Sequence, residues 1–306
     1  MQALLDKIAT LARPGEAQRL FHGRGGRHPG CEAWALDAFP PVWLLTSFRP
    51  ATADELAAVH AALAARWAEI APGEPLCWVH QCRFEGRTET RTMAGEVPEP
   101  HVVHEQGAQY LLHLLRGQNH GLFLDMAAGR GWVHAHVAAR PGLKVLNLFA
   151  YTCAFSVVAM RAGAGEVTNL DMSSGALAIG RQNHRLNGIE GGVRFLAHDL
   201  FNSWGKVTRQ GPYDLVILDP PSYQKGSFVA NKDYARLLRR LPDLLAPGGH
   251  ALLCLNAPEL PLSFLTERMA VEAPALECIE RVANPPVFDD VSPDRSLKVL
   301  VYRMPA

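Results

Sequence analysis

Three acidic residues close three apolar segments of the chain. Asp171 follows EVTNL, Asp199 follows VRFLAH and Asp219 follows YDLVIL. A carboxylate accepts more than one hydroxyl hydrogen bond, which suits it to a ribose diol. The step from Asn147 to Asp171 is close to the ~20 residues that separate strand and acid in nucleoside sites. Asp219 opens the run Asp219-Pro220-Pro221-Ser222-Tyr223. Two prolines make a stiff turn with no backbone donors of their own. Such a turn can hold carbonyls and a side chain around a planar base, and Tyr223 can stack on it.

What is missing narrows the cofactor. The first strand-to-helix turn, NLFAYTCAFS, has no GxGxxG. A pyrophosphate needs those glycines so that backbone amides can approach it. A nucleoside without phosphate does not, and S-adenosylmethionine is of that kind.

For these acids to meet, their segments must lie side by side. KVLNLFA (144–150), EVTNLDM (166–172), VRFLAHD (193–199), YDLVILDPP (213–221), HALLCLN (250–256) and LKVLVYRM (297–304) read as strands. Between them CAFSVVAMRAGA (153–164), SGALAIGRQNHRLNG (174–188), NKDYARLLRRLPDLLAPGG (231–249) and SFLTERMAVEAP (263–274) read as helices. This alternation predicts a doubly wound α/β domain with a parallel sheet, whose ligands sit beyond the carboxyl ends of the strands. Upstream, VWLLTSF and LCWVHQCRF (76–84) read as strands around a helix at 53–71, with Thr52 as its cap and Pro72-Gly73 as its stop. The Pro-, Gly- and Glu-rich stretch 92–101 suggests a boundary near residue 100, giving an N-terminal α+β domain (1–100) and a catalytic domain (101–306).

Composition sets outer limits. The 306 residues carry 30 basic and 30 acidic side chains, with 48% hydrophobic and 20% charged residues. That is ordinary globular usage, and no apolar run is long enough to span a membrane. Six cysteines without a CxxC pair argue for reduced thiols in the cytoplasm and against a zinc ribbon. Trp132, Val133, His136 and Val137 fit one helical stripe, so His134 and His136 would point apart, and Cys77 would face away from His80 and Cys82, so no metal is expected. The segment 13–28 gathers Arg13, Arg19, His22, Arg24, Arg27 and His28 among glycines, a candidate contact for an RNA backbone.

Taken together, NLFAYTCAFSVVAMRAGA, LDMS, AHDLF, LDPPSYQKGS and LAPGGHALLCLN resemble the class I S-adenosylmethionine-dependent methyltransferases. The nearer resemblance is to the large-subunit ribosomal RNA methyltransferases of the I and K/L types, whose core reads VLNLFAYTGGFSV, then VDxS, then DPPxF. GQNHGLFLDMAAGR (117–130) resembles that group's GQxTGFFLDxRxNR, and FHGRGGRHPG (21–30) its N-terminal segment.

The resemblance implies roles. Asn147, Leu148, Phe149, Ala150, Tyr151 and Thr152 would wrap the methionine part of S-adenosylmethionine. Asp171 would take the ribose hydroxyls, with Met172 packed on adenine and Ser173 beside it. Asp199 would meet the adenine amino group, with Leu200 next to it. Phe123, Asp125 and Arg130 would close over the methionine end. Asp219, Pro220, Pro221, Ser222 and Tyr223 would face the target base, with Asn256 reading another edge. Arg24, Arg27 and Lys225 would hold phosphate. The implied partner is 23S ribosomal RNA or the large subunit, and a homodimer is possible by the same analogy.

Two departures bear on the chemistry. Cys153 stands where many members of the group have glycine. Members that methylate carbon-5 of cytosine need a cysteine nucleophile, and that cysteine aligns with Asn256 here. Cys254 is two residues earlier, on the same face of an ideal strand. We therefore expect transfer to a base nitrogen, guanine favoured. The alternatives are carbon-5 transfer to cytosine, a tRNA, protein or small-molecule acceptor, and a non-catalytic RNA-binding assembly factor.

Overall fold

In the computed structural model, residues 1–224 and 228–306 are described. They divide into two compact units. One comprises Met1–Asp125 with Pro285–Pro293, the other Met126–Asn284 with Asp294–Ala306. The division thus follows Asp125, beyond the proline-rich stretch at 92–101.

The first unit holds α1 (Gln2–Ala9), β1 (Gln18–His22), β2 (Trp34–Phe39), β3 (Val42–Ser47), α2 (Ala53–Ile70), β4 (Cys77–Phe84), β5 (Arg87–Ala94), β6 (His101–Glu105) and β7 (Ala108–Leu112). Strands β1 to β5 form one sheet in chain order, and β6 pairs with β7. Helix α2 starts where expected. Thr52 accepts from the Glu55 amide, and the Glu55 carboxylate accepts from the Thr52 amide, which satisfies two end donors that helix geometry leaves unpaired. Val59, Leu63 and Trp67 on α2 join Leu4 and Ile8 of α1 against Trp34, Trp43 and Trp78 of the sheet. Each such fully buried side chain contributes about 2–3 kcal/mol of hydrophobic stabilisation. Segment 285–293 returns to this unit. Val291 donates its amide to the Gly25 carbonyl at 2.8 Å, and a Cβ on Gly25 would overlap the Asp289 carbonyl.

The second unit holds α3 (Ala127–Ala138), β8 (Lys144–Leu148), α4 (Ala154–Arg161), β9 (Glu166–Asp171), α5 (Ser174–Leu186), β10 (Val193–Ala197), α6 (Trp204–Thr208) and β11 (Tyr213–Leu218). After these come β12 (Tyr223–Gln224), β13 (Phe228–Val229), α7 (Ala230–Leu238), α8 (Leu241–Leu244), β14 (Leu245–Leu255), α9 (Leu262–Glu272), β15 (Glu277–Arg281) and β16 (Lys298–Arg303). Its seven-stranded sheet has the order β10-β9-β8-β11-β14-β16-β15. The first five strands are mutually parallel, and β16 runs antiparallel between β14 and β15. The chain is doubly wound, as the alternating pattern predicts.

Both faces of the central strands β8, β11 and β14 are buried, which is why these read as largely apolar runs. Leu146, Leu148, Val216, Leu218 and Leu253 pack with Tyr234 and Leu237 of α7 and Leu265 and Met269 of α9. Val145, Leu215, Ile217, Leu252 and Cys254 pack on the other side with Val133 and Val137 of α3 and Phe155 of α4.

Three elements differ from expectation. The helix expected over 231–249 ends at Leu238, and a separate turn, α8, carries Pro242 in its first residues. Proline has no amide to continue the earlier helix, and β14 begins soon after, at Leu245. Residues 34–48 hold two strands rather than one. Strand β15 escapes sequence reading because all five of its residues are exposed, so no apolar alternation marks it.

Candidate active site

The strand order reverses between β8 and β11, so their carboxyl ends open a crevice. The register makes the geometry explicit. Leu148 pairs with Leu218 on one side and with Leu170 on the other. Phe149, Asp171 and Asp219 therefore each stand one residue past a shared level on three adjacent strands. Asp199 is two residues past Ala197, the partner of Asp171.

Asp171 is half-buried and ties two turns together. One carboxylate oxygen accepts from the Tyr151 amide and the other from the Ser173 amide, both at 2.8 Å. A carboxylate offers about four lone-pair directions, so each oxygen keeps one for a diol. Met172, beside it, is 52% exposed. Ser173 caps α5 by accepting from the Ala176 amide at 3.1 Å.

The turn after β8 is held in a costly conformation. Phe149, Tyr151 and Cys153 have φ of 57°, 46° and 63°, left-handed backbone that a side chain disfavours by roughly 1 kcal/mol each. A glycine at position 153 would adopt this conformation without that cost. Here Cys153 is fully buried and packs on Gly180, where an added Cβ would come within 2.5 Å of its sulfur. Burial and the nearby Asp171 push its thiol well above the ordinary range, so it is a packing residue and not a nucleophile.

Asn147 turns away from the crevice. Its amide donates to Asn169 Oδ1 at 2.9 Å, Asn169 donates to Ser156 Oγ at 2.9 Å, and Ser156 lies 2.8 Å from His184 Nε2. The other imidazole nitrogen is 2.7 Å from the Gly180 carbonyl, which can only accept. Nδ1 must then carry the proton and Nε2 must accept from Ser156. Every donor in this buried chain points one way, and burial lowers the His184 pKa, keeping the ring neutral. Asn183 adds a bond to the Thr152 carbonyl at 3.0 Å, so α5 braces the turn from beneath.

Other expected residues are placed as follows. Asp199 accepts from the Phe201 amide at 3.0 Å and from the Asn202 side chain at 2.5 Å, capping a short turn. Leu200 is buried in the core. Phe123 and Asp125 end the first unit, the former 41% exposed. Arg130 lies buried on α3 in the second. Beyond β11, Pro220 is buried, Ser222 half-buried and Tyr223 68% exposed. Ser222 Oγ donates to the Asn256 carbonyl. Asn256 is exposed, whereas Cys254 is fully buried among Ile217, Leu252 and Val299. Strand β14 ends at Leu255, so Asn256 lies just beyond the sheet.

Residues 18–303 match a family described as S-adenosylmethionine-dependent methyltransferase. The chain belongs to this family. It is 32% identical to ribosomal RNA large subunit methyltransferase I of Aeromonas salmonicida over 228 residues, which cover 70% of this chain and 57% of that one. It is 35% identical to ribosomal RNA large subunit methyltransferase K/L of Psychrobacter sp. over 178 residues, covering 55% of this chain and 21% of that one. The chain thus matches only part of the length of these relatives. Among solved structures, SMU.776, described as a methyltransferase complexed with SAH, superposes with a TM-score of 0.80 at 23% identity, over 99% of this chain and 79% of that one. The family's cofactor is S-adenosylmethionine. The Asp171 carboxylate with its open lone pairs, the exposed Met172 and a turn free of phosphate-binding glycines fit that group.

The basic segment of the first unit is largely engaged. Arg13 pairs with Glu74 at 2.8 Å, Arg19 with Asp37, and Arg27 with Asp289 at 2.6 Å. Arg24 lies 4.2 Å over the Phe48 ring. Burial and the neighbouring Arg19 and Arg24 push His22 down to about 4. Lys225 falls outside the described residues. Among the described residues no group of three His, Cys, Asp or Glu could hold a metal ion, and no helix is long and apolar enough to cross a membrane.

Proposed function

We propose that this chain transfers a methyl group from S-adenosylmethionine to a base nitrogen of large-subunit ribosomal RNA, with guanine as the favoured base. The observation that carries nitrogen over carbon is the burial of Cys254. Carbon-5 of cytosine reacts only after a thiolate adds to the ring, and a sulfur packed against Leu252 and Val299 has no route to a base. The residue presented at that strand end is Asn256, which can hydrogen-bond but not add. The RNA acceptor is supported by the names of the two relatives.

In this reading Asp171 holds the ribose hydroxyls and Met172 lies along the purine. The backbone of residues 149–152 surrounds the methionine portion. When bound, S-adenosylmethionine supplies a methyl group on a sulfonium sulfur, which passes to the nitrogen lone pair as the carbon–sulfur bond breaks. The Asp219 carboxylate and the Pro220 carbonyl hold the amine edge of the base, Tyr223 stacks on its ring, and Asn256 reads a further edge. The proton released from nitrogen passes to water. Positioning supplies most of the acceleration, as expected where the protein forms no bond to the substrate. Arg24, Arg27 and Lys225 contact phosphate.

The test is Cys254→Ala. Transfer to ribosomal RNA retained within about twofold is the expected result for a residue that takes no part in the bond-making step. Loss of transfer, together with a covalent RNA adduct on the wild type, would replace nitrogen by carbon-5.

A further inference from the structure

The exit of β14 has an unusual set of hydrogen bonds. Its pairing with β11 ends at Leu253 and Leu218. Beyond that level, three backbone carbonyls are taken by side chains from three different elements. Tyr234 Oη of α7 donates to Cys254 O at 2.5 Å. Ser222 Oγ, in the turn after β11, donates to Asn256 O. Lys298 Nζ of β16 donates to Ala257 O at 2.9 Å. Leu255 and Ala257 are 1% exposed, while Asn256 between them is exposed. The donors hold the backbone on both sides of one accessible side chain.

Lys298 is the informative member. It is fully buried at the start of β16, followed by the buried Val299, Leu300, Val301 and Tyr302. Among the described residues its ammonium makes one hydrogen bond, that to Ala257, and no ion pair. Desolvation lowers its pKa, only partly offset by Asp294 and Glu259. Burying an ammonium without a carboxylate in contact is unfavourable, and a methionine would fill the same space without that penalty. A lysine here is explained by what it holds.

We infer that Lys298, with Tyr234 and Ser222, forms a three-donor clamp on the exit of β14 that positions Asn256 against the acceptor base. Lys298 is thereby a positioning residue for methyl transfer, acting through Asn256. This rests on the function proposed above.

The test is a double-mutant cycle on the full chain. Methyl transfer from labelled S-adenosylmethionine to a ribosomal RNA transcript is measured for wild type, Lys298→Met, Asn256→Ala and the double variant, with cofactor Kd by calorimetry. Lys298→Met is expected to lower kcat about tenfold, the scale of a small misplacement of a substrate-holding group, with cofactor Kd unchanged. In the Asn256→Ala background the same substitution should cost less than about twofold, because the interacting pair is already broken. Tyr234→Phe removes one hydroxyl from the same clamp and should show the same coupling, which keeps the inference testable if Lys298→Met does not fold. An equal loss in both backgrounds overturns it, as does wild-type kcat in folded Lys298→Met and Tyr234→Phe. A wild type that binds cofactor but methylates no ribosomal RNA overturns the proposed function instead, and the inference with it.

Discussion

The chain leaves β8 through residues 149–153 and leaves β14 through residues 256–258, and these two exits lie on either side of β11. The first is held by its own backbone. Three side-chain-bearing residues in it are left-handed, and further restraints come from Asp171, one strand over, and Asn183 on α5. The second is held by side chains at positions 222, 234 and 298. In the reading proposed above, the first exit serves the cofactor and the second the acceptor base. Substitutions should separate accordingly, into those that alter cofactor affinity and those that alter transfer at unchanged affinity.

The largest effect belongs to the first exit. In the proposed function Asp171→Ala would remove both ribose contacts and would free the Tyr151 amide, so affinity for S-adenosylmethionine should fall about 100-fold or more by calorimetry. Wild-type affinity in that variant would remove Asp171 from the site. Next comes the second exit, where Lys298→Met should leave that affinity alone and reduce kcat about tenfold. If it weakened cofactor binding instead, the two exits would not be separate devices.

Cys254→Ala should leave transfer intact while costing about 1–2 kcal/mol of stability in urea, as the loss of a buried sulfur from a packed core requires. Acid should act on the brace beneath the first exit. The folded-state pKa of His184 is depressed by burial, whereas the unfolded ring titrates near its ordinary 6.5. Above that pH both states are neutral and the stability is complete. As pH falls below it, only the unfolded state takes the proton, so stability is lost progressively towards the folded pKa. A His184→Asn variant should therefore show a shallower decline between pH 7 and 5, and an unchanged slope would show that His184 is not buried neutral.

The smallest effect tests the strain itself. At position 151, with φ of 46°, glycine should be more stable than alanine by about 1 kcal/mol. Neither variant carries the tyrosine ring, so the difference isolates the backbone. The opposite order would mean that the turn is not left-handed there.

Much of this arrangement was legible in the residues. Asp171 and Asp219 stand out because each ends an apolar run that both faces of a parallel sheet must bury. Tyr223 and Asn256 follow from their places after such strands. Asn147 misled, since a polar residue at a strand end looks the same whether it faces the crevice or a buried partner such as Asn169. Asp199 was expected to serve a ligand and also caps a turn, a local use that spacing does not reveal. The clamp was invisible for a different reason. Lys298 stands near the start of LKVLVYRM, where nothing in the pattern marks it as buried. Only the approach of Ala257, from another part of the chain, shows what its ammonium does. Strand β15 and segment 285–293 carry no periodic signal, and their places are set by long-range pairing.

The most direct test of the account is nucleoside mass spectrometry after incubating the protein and isotopically labelled S-adenosylmethionine with unmodified ribosomal RNA and with large ribosomal subunits. The account predicts a labelled methylguanosine. Labelled 5-methylcytidine, or label in no RNA nucleoside while the cofactor still binds, would contradict it.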